Sequence, residues 1–219
     1  MFKGESPIQR NYPIPEDFVS LAKKWCADAI DIMLGVVWQG FDALSNEFFD
    51  ISRDDENIED EITYTVFCKI QDVSGFSPFQ IILHPPEREQ RSIKGSMPES
   101  DLGFRLRGGN IRSHFSIEAK VIRTDGDISK YVNEIKNNFM TRRYSAFSTE
   151  AAMLGYLLSG SPFNTFNAIA KSLECTLDTY DVFNSRNHRI SDHIRQIPQG
   201  IKLSNKFRCH HMIINFSNN

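Results

Sequence analysis

The sequence predicts an α/β protein in which a mixed β-sheet is flanked by helices, with additional helices at the N-terminus. Two observations predict this class. The hydrophobic spacing is helical through the first third of the chain and changes to a period of two near residue 78. The segments that follow have the spacing of three strands, a helix, a strand, a helix and a last strand. One mixed sheet with helices on both faces satisfies this order.

The N-terminal part of the chain has the spacing of three helices. Apolar residues predict a helix from about 16 to 34 and a second from about 37 to 50, with the break near Gly35 or Gly40. The stretch DDENIEDEITYTVFCKIQDV (54–73) predicts a third helix. Acids fill its first turn, and apolar residues recur at helical spacing behind them.

This N-terminal part is acidic, whereas the rest of the chain is moderately basic. Residues 1–75 hold 6 Lys and Arg but 15 Asp and Glu, and residues 76–219 hold 19 and 13. The asymmetry indicates an acidic flank beside a basic working face, which permits nucleic-acid binding without requiring it. We expect residues 1–56 to form a helical extension that packs on a core formed by residues 57–219.

Beyond residue 75 the predicted elements alternate between strands and helices. The segments DLGFRLR (101–107) and SHFSIEAKVIR (113–123) predict a hairpin closed by Gly109-Asn110 as a two-residue turn. A long loop is predicted between 85 and 100. Further strands are predicted over PFQIILH (78–84), AAMLGYLLSG (151–160) and KFRCHHMIINF (206–216), and further helices over 128–144 and 162–173.

The composition is that of an ordinary globular protein and favours a cytoplasmic one. The four cysteines are widely spaced and form no C-x-x-C pair, which is typical of reduced thiols rather than of a disulfide framework. No apolar run has the length of a membrane span, and the first residues lack the apolar stretch of a signal peptide. We therefore expect no association with a membrane.

The predicted hairpin carries charges where a core strand is normally apolar. Glu118 and Lys120 project from one face of their strand, and a two-residue turn places Asp101 directly opposite Glu118. Opposed like charges destabilise a sheet pair unless a cation neutralises them, and paired carboxylates suit Mg²⁺ or Mn²⁺. Lys120 can then orient a water molecule and offset the charge of a phosphate. The alternative is an edge hairpin with a solvated face, which a one-residue slip of register would favour.

The stretches SDLGF and IEAK, with the predicted elements around them, resemble the core of the PD-(D/E)xK nuclease superfamily, the fold of many restriction and repair endonucleases. The resemblance covers residues 57 to 160 in rough outline. Asp101 matches the first acid, Glu118 the second and Lys120 the lysine, while Ser100 stands where the superfamily usually has proline. It implies a restriction-endonuclease-like fold made of a helix, three antiparallel strands, a helix and a further strand.

The resemblance also implies a function. Asp101, Glu118 and the Ala119 carbonyl would bind Mg²⁺ or Mn²⁺, and Lys120 would act on the water that attacks the phosphodiester. The implied protein is a metal-dependent endodeoxyribonuclease of a bacterial restriction or anti-phage defence system. An auxiliary acid is expected on the preceding helix, and we assign it to Glu61. The competitors for that role are Glu56, Glu59 and Asp60.

A second group of side chains is expected to contact DNA through phosphate binding and base stacking. The group consists of Arg105, Arg107, Arg142, Arg143 and Tyr144. Its first two members share the predicted face of Lys120, which we expect to be basic. For the last three, the alternative is that basic residues end a helix to complement its dipole.

The sequence Cys209-His210-His211 allows two interpretations. Three adjacent metal-binding residue types suggest a metal cluster. Neighbouring side chains on a strand point to opposite faces, however, so we favour a core cysteine beside one exposed histidine.

Two functions other than nuclease activity stay open. A non-catalytic subunit of the same fold could bind nucleic acid, or recruit a partner protein through its acidic N-terminal helices. A structural protein could simply carry a solvated hairpin face. In the nuclease interpretation the partners are DNA and other subunits of a defence system, and a homodimer is an arrangement that it allows.

Overall fold

The computed structural model describes residues 14–44, 47, 49–75, 77–87 and 97–216. Parts of the second predicted helix and of the predicted loop between 85 and 100 lie outside these ranges. The helices are α1 (Phe18–Trp25), α2 (Ala29–Asp42), α3 (Asp55–Val73), α4 (Ser129–Glu134), which continues as a π-helical turn over Ile135–Phe139, and α5 (Pro162–Leu173). The strands are β1 (Phe79–Leu83), β2 (Leu102–Leu106), β3 (Phe115–Ile122), β4 (Glu150–Leu157), β5 (Asp178–Thr179), β6 (His188–Ile194) and β7 (Lys206–Asn215).

These strands form one mixed sheet in the order β1-β2-β3-β4-β7-β6-β5. Strands β1, β2 and β3 are antiparallel neighbours, whereas β3, β4 and β7 run parallel to one another. Strand β6 is antiparallel to both β7 and β5. Helix α4 lies in the connection from β3 to β4, and α5 follows β4. The predicted class, an α/β fold with a mixed sheet flanked by helices, is confirmed.

Helices cover both faces of the sheet because the side chains of each strand alternate between the faces. Ala119 and Val121 of β3 belong to an apolar cluster that includes α1, α2 and α3. Ile122 belongs to a second cluster that includes α4 and α5. Strand β3 therefore runs through the middle of the core, and Glu118 and Lys120 are the charged residues within it.

The N-terminal helices are divided at a different place from the predicted one. The chain leaves the helical conformation between Trp25 and Ala29, and α2 continues through both Gly35 and Gly40. At Gly40 the missing side chain permits close packing, because a Cβ there would lie 2.6 Å from Ile70 Cγ1 on α3. A glycine that we interpreted as a helix end is a contact point between two helices.

The hairpin has the predicted register but not the predicted turn. Leu102 pairs with Ile117, which is the register that sets Asp101 across from Glu118. The two-residue turn is wrong, because residues 107–114 form a longer loop between β2 and β3. The register is therefore fixed by the apolar faces of the strands, since a slip of one residue would turn those faces away from the core.

Three other elements differ from the prediction, one of them the two-residue strand β5, which was not predicted. Strand β6 was not predicted, because its sequence HRISDHI has few apolar residues to mark it as a strand. The helix predicted over 128–144 ends at Phe139. It is followed by turns in which Arg142 and Ser145 have positive φ angles.

No helix in the described part of the chain combines the length and the apolar composition needed to cross a membrane.

Candidate active site

The predicted acids and lysine lie where β2 separates from β3. Strand β2 pairs with β3 only through residues 102–104, so the edge of β3 beyond that point is not covered by β2. There, two carboxylates accept hydrogen bonds from backbone amides of β3. Ala119 N donates to Asp101 Oδ2 at 2.7 Å, and Val121 N donates to Glu59 Oε2 at 2.9 Å. Side chains from β3, from α3 and from the residue just before β2 thus meet at one edge.

The ammonium of Lys120 lies at the centre of this group. Its Nζ atom is 2.8 Å from Glu59 Oε1, 2.9 Å from Glu118 Oε1 and 3.7 Å from Asp101 Oδ2. It also donates to the Ala119 carbonyl oxygen. The structure therefore brings together Asp101, Glu118, Ala119 and Lys120 as predicted. We call Glu59, Asp101, Glu118 and Lys120 the acid–lysine cluster.

The cluster carries more negative than positive charge. Glu118 is 4% exposed, and its Oε2 atom has no hydrogen-bond partner among the described residues. Burial and the charge of Asp101 raise the pKa of Glu118 well above its usual value, and burial also raises the pKa of Glu59. Burial opposes the charge on Lys120, but the surrounding carboxylates outweigh it and raise the pKa of Lys120. Protonation of a carboxylate or binding of a cation would relieve the excess.

Glu59, and not Glu61, is the acid that α3 contributes. Two residues correspond to about 200° around a helix, so these side chains point in nearly opposite directions. Glu61 forms an ion pair with Arg53. The other competitors, Glu56 and Asp60, are exposed. The expectation for Glu61 is therefore corrected by the register of the helix.

Two residues that the sequence did not suggest for the cluster are electrostatically coupled to it. The charge of Glu134 on α4 contributes to the raised pKa of Glu118. The pKa of Tyr144 is raised by burial and then by the charges of Glu118, Glu134 and Asp101. The spacing that buries Tyr131 and Ile135 places Glu134 beside the inner face of its helix. This position is the feature of the sequence that could have indicated Glu134 as a neighbour of the cluster.

The residues predicted to contact DNA do not form one surface. Arg142 is buried and donates from Nη2 to the Ala146 carbonyl at 2.6 Å, and Tyr144 is buried with its ring edge against Phe139. These two predictions are corrected, because the segment after α4 folds inward and packs in the core. Arg143 is exposed.

Arg105 on β2 and Arg107 directly after it both have hydrogen-bond partners on neighbouring segments. Arg105 donates to Gln80 Oε1 at 3.1 and 3.3 Å, and Arg107 donates to the Ser77 carbonyl at 3.0 Å. Lys120 itself is surrounded by carboxylates, one of them from the acidic N-terminal part of the chain. The predicted basic face around Lys120 is therefore wrong.

His210 and His211 are both buried, so the expectation of one exposed histidine is wrong. On one face His210 Nε2 is 3.1 Å from Glu150 Oε2, and its Nδ1 is 3.1 Å from His188 Nε2. On the other face His211 contacts the hydroxyls of Tyr131 and Ser191 at 3.1 and 2.8 Å. The adjacent positions point to opposite faces as predicted, and each ring takes part in a separate hydrogen-bonded network.

A cleft of about 640 Å³ lies away from the cluster, between the start of α1 and the connection from β6 to β7. Three of its charged groups already have ionic or hydrogen-bonding partners. Asp192 holds Arg208 through two hydrogen bonds, and Glu150 contacts His210. We place the candidate site at the acid–lysine cluster, because strong pKa shifts and an unsatisfied buried oxygen coincide there.

The oxygen atoms of the cluster are of the kind that Mg²⁺ prefers, namely carboxylates and a backbone carbonyl. Within the described ranges, no three or more His, Cys, Asp or Glu side chains are arranged to hold a metal ion. Lys120 Nζ takes the space between the carboxylates, and Glu118 Oε2 is a buried acceptor without a hydrogen-bond donor. The oxygen chemistry suits a hard cation, but the ammonium of Lys120 occupies the space between the carboxylates.

No family model, no curated protein and no solved structure matches this chain.

Proposed function

We propose that the protein is a metal-dependent nuclease that hydrolyses phosphodiester bonds of DNA with Mg²⁺ or Mn²⁺. The observation that carries the proposal is the convergence of Asp101, Glu118, the Ala119 carbonyl and Lys120 at one sheet edge, with Glu59 as a third acid. The resemblance to PD-(D/E)xK nucleases gives the first four their roles. A place in a bacterial restriction or anti-phage system is part of the same proposal and rests on that resemblance.

The order of the elements supports a restriction-endonuclease-like core. Helix α3, the antiparallel strands β1, β2 and β3, helix α4 and the parallel strand β4 follow one another as the resemblance implies. In this proposal α1 and α2 belong to the N-terminal extension. The proposed boundary after residue 56 falls in the first turn of α3.

Each residue of the site has a defined part in the proposed reaction. Asp101, Glu118 and the Ala119 carbonyl would hold the metal, which supplies an activated water and charge stabilisation when bound. Lys120 is positively charged in this setting, so it can donate a hydrogen bond to the attacking water and stabilise charge on the phosphate. Glu59 holds the amide of Val121 and thereby keeps the edge of β3 in position.

The test compares single variants in the cleavage of plasmid, linear duplex and single-stranded DNA. Glu118→Gln keeps the side-chain shape but removes a charged ligand, and Lys120→Ala removes the ammonium. We expect each to lower the cleavage rate about 10²- to 10³-fold, the cost of losing one group that stabilises developing charge. Glu59→Gln should also lower the rate, because it keeps an acceptor for the Val121 amide but removes the negative charge that holds the ammonium of Lys120. Glu61→Gln is the matched control on the same helix and should leave the rate unchanged.

A second readout separates metal binding from catalysis. Lys120→Ala removes a positive charge from among the metal-binding oxygens, so magnesium affinity measured by calorimetry should rise while cleavage is lost. Glu118→Gln should lower that affinity. The proposal is wrong if Glu118→Gln cleaves as fast as the parent protein, or if neither variant changes magnesium affinity.

The second candidate function is a non-catalytic subunit that binds nucleic acid or a partner protein. One observation favours it: Lys120 closes the cluster into an ion-pair network, with carboxylates surrounding the ammonium. In this case the purified protein cuts none of the three DNA forms, and proteins encoded beside it do not restore cutting. Biological function would then survive Glu118→Gln.

A further inference from the structure

One carboxylate at the rim of the acid–lysine cluster holds two cations at once. Asp55 Oδ1 is 2.5 Å from Arg123 Nε, and Asp55 Oδ2 is 2.8 Å from Lys130 Nζ. The guanidinium of Arg123 also donates to the carbonyls of Ile51 and Arg53, which fixes its position. A guanidinium held by two carbonyls and a largely exposed ammonium thus share a single carboxylate. We call Arg123 and Lys130 the cation pair.

The cation pair lies close to the proposed cleavage site. Asp55 precedes Glu59 by four residues on α3, so the two residues lie on the same helix face about 6 Å apart along the axis. Arg123 follows Lys120 by three residues at the end of β3, and Lys130 is in the first turn of α4. The charge of Glu59 contributes to the raised pKa of Lys130, as this proximity requires.

A phosphodiester has the same recognition chemistry as this carboxylate. It presents two non-bridging oxygens that share one negative charge, and arginine binds such a pair of oxygens while lysine contributes a point charge. Successive phosphates of one strand in a duplex rise by about 3.4 Å along the axis. The distance of about one helical turn between Asp55 and Glu59 therefore corresponds to one or two nucleotides.

We propose that Arg123 and Lys130 bind a backbone phosphate of the DNA strand beside the scissile bond, and that Asp55 competes with this phosphate for the same two cations. The inference rests on the proposed nuclease function and adds to it a specific contact with the substrate. Asp55 then acts as an internal substitute for the phosphate, so the affinity for DNA is lower than the cation pair alone would give.

The test measures DNA affinity against salt concentration in a Glu118→Gln background with magnesium, which suppresses cleavage. Asp55→Asn should bind DNA about 2- to 5-fold more tightly, because it removes a repulsion of the size found for surface charge pairs. Lys130→Gln and Arg123→Gln should weaken binding. Each should lower the slope of log affinity against log salt by about 1.

The matched control is the ion pair of Glu47 with Lys69, whose lysine is also on α3. Glu47→Gln removes the same charge as Asp55→Asn but should leave DNA affinity unchanged. The inference is overturned if both changes tighten binding equally, or if Lys130→Gln keeps the parental salt slope. Lys130 is largely exposed, so its variant tests the idea even if Asp55→Asn disturbs the start of α3.

The two proposals fail in different ways. If the parent protein binds no DNA at any salt concentration, the proposed function fails and the cation pair has no substrate. If the parent binds and cleaves DNA but is insensitive to all three changes, only the cation-pair inference fails.

Discussion

At Glu118 a carboxyl group is almost completely removed from water while one of its oxygens has no hydrogen-bond partner among the described residues. Such a group is costly in its charged form unless a counter-charge lies close by. Lys120 supplies one positive charge, but Asp101 and Glu59 compete for it. The charged form of Glu118 is therefore expected to lower the stability of the folded protein.

This conflict leads to a stability prediction. Glu118→Gln should raise the melting temperature near pH 8 in the presence of a chelator. If it raises the free energy of unfolding by about 1 kcal/mol, the shift for a protein of this size is about 2–4 °C. The raised pKa of Glu118 means that its charged form is disfavoured in the folded state. The measurement is thermal unfolding with magnesium and with chelator.

The pH dependence provides the control. Below the folded-state pKa of Glu118 the parent carboxyl is protonated and resembles glutamine, so the advantage of the variant should shrink as pH falls. Magnesium should stabilise the parent more than the variant. A variant that melts lower than the parent at pH 8 in chelator would contradict this account.

At the scale of elements, the contact between α2 and α3 determines how α3 is placed, and with it Glu59. The two helices approach most closely at Gly40, where the space for a side chain is filled by Ile70. A Cβ added at Gly35, on the same helix, would lie 3.7 Å from the ring of Phe183, which is a normal contact distance. Identical substitutions at the two glycines should therefore have opposite effects.

We expect Gly40→Ala to lower the free energy of unfolding by about 1–3 kcal/mol, the range for overpacked cores, despite the better helix propensity of alanine. Gly35→Ala should be neutral or stabilising by up to about 1 kcal/mol, because alanine favours the helix and meets no clash. Urea unfolding of both variants gives the comparison. Equal effects at the two positions would show that the close approach of α2 and α3 is not what Gly40 provides.

The segment between α4 and β4 is held in place by buried charge. Arg195 donates to the carbonyls of Phe139, Ser145 and Ser148, and its guanidinium lies 4.0 Å from the centre of the Phe207 ring. Burial lowers the pKa of Arg195 to about 9. This anchoring explains why the chain folds inward after α4, although its sequence suggested an exposed basic surface.

For the whole molecule, the buried histidines predict a loss of stability in acid. Burial lowers the pKa of His188 to about 2 and that of His211 to about 3. The unfolded chain takes up protons at these positions below pH 6.5, whereas the folded protein does not. Stability should therefore fall as pH decreases from about 6 to 4, by about 1.4 kcal/mol per pH unit for each histidine.

Variants identify the source of this acid sensitivity. His188→Gln and His211→Gln should each make the pH dependence of the unfolding free energy less steep over that range, even if they lower stability at pH 8. The exposed His84 is the control position, and His84→Gln should keep the parental slope. An unchanged slope in both buried variants would contradict the prediction.

The sequence predicted most of the fold because apolar patterning marks elements that are buried on one or both faces. Helix α5 and strands β1, β4 and β7 lie where their patterns indicated. Strand β6 has no apolar pattern that would predict it, because its buried positions are occupied by polar side chains such as His188 and Ser191. Their burial depends on hydrogen bonds to β7 and to helices, which a local pattern does not reveal.

The alternation of side chains along the strands predicted only those site residues that lie on or next to β2 and β3. Asp101, Glu118 and Lys120 were placed on one face by the register of β2 and β3, which the core determines. To choose Glu59 over Glu61, one must know how α3 is oriented about its own axis in the folded protein. The ion pairs of Asp55 with Arg123 and Lys130 could not be predicted without knowing that the first turns of α3 and α4 meet beside the end of β3. The orientation of a helix and the contacts between the ends of elements are determined by tertiary packing.

The capping of the β3 amides by Asp101 and Glu59 has a practical consequence for anyone who inactivates this protein. Alanine at either position uncovers a backbone donor on a strand edge, and uncovered edges are templates on which another chain can add a strand and start aggregation. A lost activity in such a variant would then be confused with lost solubility. Asparagine and glutamine keep an oxygen that can accept the amide proton, so they separate the chemistry from the integrity of the edge.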